Sequence, residues 1–140
     1  MIKQCQDNHD VFLEICDKLR EVKSCKITAN LLYGYMISGQ INKDVLTLVS
    51  YDEDKMNGCG VAEISRDELG NKILFMMFIW INPHFPKLLQ EFIEYTNNKA
   101  KELDIKKMVF ATDRDEKIIE RRMGKFGFSK KCSVYEKDVM

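Results

Sequence analysis

The sequence predicts a mixed α/β fold: a mostly antiparallel sheet with helices on both faces, in the order β-α-α-β-β-β-α-β-α-β. Three observations carry this. Nine consecutive apolar residues, 73–81, read as a strand buried on both faces, because a one-sided strand would alternate with polar residues. Val11, Phe12, Ile15, Leu19 and Val22 recur at helical spacing and fall on one face. A strand–helix–strand unit over 72–112, with residues 88–103 as the crossover, requires one parallel pair inside the sheet.

The elements follow in order. A short strand over 2–5 precedes a helix over 8–22, which Asp7 or Asn8 can cap. Thr28 caps a second helix carrying Leu31, Leu32, Tyr35 and Met36, closed by Gly39. Residues 45–51 are rich in β-formers and the polar run 52–58 reads as turn; strands over 59–65 and 72–81 complete a meander. Pro86 suits the first turn of the next helix, where its missing N–H loses no hydrogen bond. Residues 107–112 form a strand. Asp113 and Glu116 make a capping box for a helix over 114–126, and an extended segment with Val134 and Tyr135 follows. No repeat or Pro/Gly/Ser-rich linker divides the chain, so 1–140 reads as one domain.

Composition narrows the function. Lys+Arg and Asp+Glu both number 22, so no overall charge favours nucleic acid or a membrane surface. The longest apolar run falls short of the about 20 residues that cross a bilayer. The opening MIKQCQDNHD is polar where a secretory leader is apolar, so a cytoplasmic protein is expected. The cysteines number 5, with no CxxC spacing, and are expected as reduced thiols. His9 and His84 are the only histidines and neither neighbours a cysteine pair, so no metal site is expected. Heavy use of Lys, Ile, Asn and Met suits an AT-rich genome, bacterial or phage.

The element order, MIKQ at the start and GKFGF near the end resemble the GNAT superfamily of N-acetyltransferases over nearly the whole chain. Ile81-Asn82-Pro83 matches the end of the family's fourth strand, and Leu88-Leu89 match its paired leucines. ELDIKKMVFAT looks like its helix end and fifth strand, and RRMGKFGF like its Tyr-Glu-Lys-x-Gly-Phe ending, with Met123 where Tyr stands. The glycine-rich loop that wraps the pyrophosphate of acetyl-CoA is missing between Pro83 and Leu88. Phe85 and Pro86 cannot take up positive φ as glycine does, and Pro86 offers no amide. Met123 cannot donate a proton as the family's tyrosine does toward the leaving thiolate.

The resemblance implies acetyl transfer from acetyl-CoA to a small-molecule or protein amine. The cofactor would run along Phe78, Ile79, Trp80 and Ile81, with phosphate on the amides of Lys87, Leu88 and Leu89 and the Lys87 charge. Arg114, Lys117, Arg121 and Lys125 recur at i, i+3, i+7 and i+11; Arg114, Arg121 and Lys125 are candidates for a 3′-phosphate. Ile118, Ile119, Met123 and Phe126 occupy the other side of that helix. Glu63 and His84 are the candidate general bases. The aromatic cluster Phe75, Phe78, Trp80 and Phe85 reads as core. Two other readings stay open: a non-catalytic GNAT-like binding or assembly protein, such as a phage protein, and a nucleic-acid adaptor using the basic stripe. The short stretch after Gly127 leaves a sheet edge suited to a second copy or a protein partner.

Overall fold

The computed structural model describes residues 1–6, 8–22, 27–112, 115–131 and 135–139. The elements are β1 (Ile2–Gln4), α1 (His9–Leu19), α2 (Ala29–Asn42), β2 (Val45–Asp52), β3 (Lys55–Arg66), β4 (Lys72–Ile81), α3 (Leu88–Glu102), β5 (Lys107–Val109) and α4 (Glu116–Met123). The strands form one five-stranded sheet in the order β1-β2-β3-β4-β5. All neighbours pair antiparallel except β4 and β5, which pair in parallel across the α3 crossover.

Alternation of side chains along each strand divides the core between two layers. On one face α1 and α2 bury Phe12, Ile15, Leu32 and Met36 against Val49, Val61, Phe78 and Trp80. On the other, α3 sets Leu88 and Phe92 on Leu48, and its Ala100, with Ile105 just beyond the helix, on Leu46, Ala62, Leu74 and Met76.

The structure revises several boundaries. Asn8 caps α1, its side chain accepting from the Val11 N–H, but the helix ends at Leu19 and the chain turns before Val22. Thr28 caps α2 as expected. Gly39 does not close that helix. It sits inside it, where a Cβ would come within 2.7 Å of the Val45 Cβ, and Lys43 takes the left-handed cap at φ 58°. The turn before β3 is shorter than expected: Lys55 already pairs with Asp52, and Glu53 supplies the positive φ of 56°. Pro86 precedes α3 rather than joining its first turn, with Lys87 at the N-cap. β5 stops at Val109 instead of Thr112. Asp115 caps α4, accepting from the Lys117 and Ile118 N–H groups, so the helix starts at Glu116; Asp113 and Arg114 lie outside the described residues. A 3₁₀ turn over Gly124–Phe126 replaces the last turn of α4. Among the described residues no strand follows it; Val134 lies outside them, and Tyr135 is 91% exposed.

β4 departs from the expected double burial in an informative way. Val61 pairs with Phe78 and Ala62 with Met76, so Met77 is an extra residue opposite β3, a β-bulge. The bulge shifts the side-chain phase. Leu74 and Met76 face α3 ahead of it, whereas Phe78 and Trp80 face α1 and α2 beyond it. Ile73 and Phe75 therefore lie on the α1/α2 side of the sheet, half-buried, beyond the part those helices cover.

Candidate functional site

Beside the bulge, the sheet opens. β5 is paired with β4 only at Ile73–Phe75, and among the described residues no strand lies along the outer edge of β4 from Phe78 to Ile81. The Asn82 N–H donates to the Asn57 carbonyl of β3 at 2.9 Å. Alternation along the strand then turns the main-chain groups of Trp80 and Phe78 to β3 as well, and those of Ile79 and Ile81 to the open edge. Of the four residues expected along a bound cofactor, Ile79 and Ile81 thus present N–H and C=O groups outward. The Phe78 and Trp80 side chains are buried beneath α1. The Trp80 indole N–H donates to the Glu21 carboxylate at 2.9 Å, and the Lys18 ammonium lies 4.6 Å from its ring centroid.

The edge leads to the start of α3. An Asx turn shapes the junction: the Asn82 side chain accepts from the His84 N–H and its carbonyl from the Phe85 N–H, both at 2.9 Å. The Leu88 amide is not available to a ligand, because it donates to the Phe85 carbonyl at 3.0 Å. The N–H groups of Leu89 and Gln90 have no acceptor among the described residues, and Lys87 provides no side-chain cap. The helix end therefore leaves the Leu89 and Gln90 amides without an acceptor; the sequence reading names Leu89 and not Gln90. Gly58 lets α3 sit this low: Leu88 and Phe92 occupy the space that a Cβ on residue 58 would take.

A groove of about 730 Å³ runs beside α3 from Gln90 to Asp104, closed by the segment Lys125–Phe128. Lys101, Lys107 and Lys125 line it with Glu94 and Asp104. Arg121 is exposed on α4, outside this lining, and Lys125 rests 5.2 Å from the Phe126 ring centroid. No residue of α4 is buried; Ile118 is 41% exposed, so the apolar side of the helix meets little of the core. On the opposite flank of the α3 start, His84 and Lys87 border a cavity of about 350 Å³ with Ser50, Asn57 and Glu91.

Glu63 stands on β3, in register with Val45 on one side and Phe75 on the other. Val61, two residues back, points to α1 and α2, so Glu63 faces the same side as Phe75. Burial pushes its carboxyl up from the ordinary value, and the neighbouring Asp44 pushes it in the same direction. The Asp44 Oδ1 is buried without a partner. Asp44 precedes Glu63 by a full hairpin, and no short-range motif joins them.

A parallel strand pair that parts at a bulge, with a helix starting at the end of the first strand, defines the fold of the GNAT acetyltransferases, and this chain has that fold. Aminoglycoside acetyltransferase AAC(6')-Iy, solved with a CoA-linked bisubstrate analogue, superposes at a TM-score of 0.75 and 14% identity, covering 99% of this chain and 98% of that one. AAC(6')-Ih from Acinetobacter baumannii gives 0.75 and 14%, covering 100% and 98%. An acetyltransferase of Trypanosoma brucei gives 0.70 and 12%, covering 99% of each. No protein-family model and no curated protein matches the sequence. No helix among the described residues is long and apolar enough to cross a membrane.

Proposed function

We propose that this protein is an acyl-CoA-dependent N-acyltransferase that transfers an acetyl group from acetyl-CoA to an amine. One observation carries the reading: the open edge of β4, with the main-chain groups of Ile79 and Ile81 outward, leads directly to the uncapped start of α3. Solved structures of AAC(6')-Iy hold CoA or a CoA-linked analogue, which supports the same use of this edge.

The residues present fit such a cofactor in part. Leu89 and Gln90 offer amides to a phosphate oxygen, and the helix end and Lys87 add positive potential. Phe85 and Pro86 narrow the approach where the related enzymes place glycines. When bound, the cofactor supplies an acetyl group activated as a thioester. The chain's part is to hold that group along β4, to direct an Ile79 or Ile81 N–H at the carbonyl oxygen, and to accept a proton from the incoming amine. Glu63 is our choice for that base, since its raised carboxyl faces the sheet side where β4 and β5 part. His84 stands on the far flank of the α3 start.

Phe85, Pro86 and Met123 favour a second reading, a non-catalytic GNAT-fold protein that has lost the cofactor loop and serves binding or assembly. Differential scanning fluorimetry with acetyl-CoA separates the two. At about 100 times its dissociation constant a ligand stabilises the fold by about 2.7 kcal/mol, which for a chain of this length raises Tm by about 9 °C. No shift with any acyl-CoA refutes the enzyme reading.

A further inference from the structure

The side of the sheet that Glu63 faces has its own composition. On the α3 side, Leu74, Met76 and Met108 are packed into core with Ala100 and Ile105. On the other side, α1 and α2 cover β2, β3 and the end of β4, and their cluster reaches Met77 but not Ile73, Phe75 or Val109. Phe75 and Ile73 are half-buried and Val109 is 37% exposed. These three are adjacent by register, Ile73 opposite Lys107 and Phe75 opposite Val109. They make an apolar floor that ends where β4 and β5 part. Glu63, directly across from Phe75, walls it on the β3 side. Lys107, opposite Ile73, stands at the end of the floor away from the opening and also lines the groove beside α3.

We infer that the acceptor is a primary amine on an aromatic or branched aliphatic body, seated on Ile73, Phe75 and Val109 with its ammonium against Glu63. The inference deepens the acyltransferase reading and rests on it for the fate of the amine. An apolar floor gives an extended polycation no surface to bury, whereas a compact apolar amine fills it and brings its one charge to the Glu63 carboxylate. Glu63 then takes one proton from the ammonium, leaving a neutral amine and a protonated carboxyl, at the mouth of the open edge.

The test uses the full chain and three probes: phenethylamine, its uncharged analogue 2-phenylethanol, and spermidine. Calorimetric titration is expected to show phenethylamine binding about tenfold or more tightly than either of the others. Glu63→Gln is expected to weaken phenethylamine about tenfold and leave 2-phenylethanol unchanged. Phe75→Ser, or Val109→Ser should the first fail to fold, is expected to weaken both aromatic probes. Spermidine binding as tightly as phenethylamine, or an unchanged affinity in Glu63→Gln, overturns the inference. The titration is made without cofactor, so its failure is distinct from a missing acetyl-CoA shift, which refutes the enzyme reading instead.

Discussion

Substituting Gly58 by alanine probes how α3 is held over the candidate site. A Cβ at this position would lie 2.7 Å from Leu88 Cδ2, 2.8 Å from Phe92 Cε2 and 3.3 Å from Ile81 Cδ1. These are side-chain tips, but Phe92 is 0% and Leu88 6% exposed, so neither has room to swing away. Relief must come from lifting the first turn of α3 off β3. Overpacking of this kind costs about 2 kcal/mol, which corresponds to a loss of about 7 °C in Tm for a chain of this length. Gly60 is the control: its added Cβ would meet nothing nearer than the Phe78 carbonyl at 3.5 Å, so Gly60→Ala should stay within about 0.5 kcal/mol of the parent. Urea unfolding of the three proteins gives the comparison directly. The lifted turn carries the Leu89 and Gln90 amides, so on the proposed acyltransferase reading acetyl-CoA affinity should fall with Gly58→Ala and hold with Gly60→Ala. A Gly58→Ala protein as stable as the parent would show that α3 is not seated on the bare strand.

Further outcomes follow from other positions. Gly34 lies within α2 with nothing inside 4 Å of an added Cβ, so Gly34→Ala should raise stability by about 0.8–1 kcal/mol, read as a rise in Tm. Burial raises the Cys59 thiol from its ordinary 9.0, and burial with Glu14 beside it pushes the Tyr51 phenol up to about 12. The fold favours the protonated form of both, so their contribution is full below pH 9 and is lost as pH rises toward the folded values; urea midpoints should fall between pH 8 and pH 10.5. Glu63 is also raised, so the fold disfavours its carboxylate, and its contribution is lost as pH rises through the folded value. Glu63→Gln should therefore unfold at a higher temperature than the parent at pH 7, and the two should converge at pH 4.

Much of the architecture was legible because it rests on local chemistry. Asn8 and Thr28 cap the helices they were expected to cap, and the apolar face of α1 lies where its spacing put it. The errors share a cause, which is that partners distant in sequence decide what a residue is for. Gly39 reads as a helix stop from its neighbours, yet Val45 across the layer is what requires it. The Met77 bulge is invisible in a run of unbroken apolar residues, because a shift of phase changes nothing in a pattern without polar markers. The uncovered floor at Ile73 and Phe75 was hidden for the same reason. At the site, proximity in sequence located the α3 start, but only hydrogen-bond accounting separates the engaged Leu88 amide from Leu89 and Gln90. The placing of Glu63 opposite Phe75 depends on strand register, which no spacing rule supplies.

The phase shift at Met77 also sets how the molecule comes apart. Ahead of the bulge β4 contributes Leu74 and Met76 to the α3 layer, and beyond it Phe78 and Trp80 to the α1/α2 layer. One strand is thus common property of both halves, and neither layer can melt without stripping β4 from the other. Amide protons of α1 and of α3 should accordingly exchange through a single global opening, while those of α4, none of whose residues is fully buried, exchange freely.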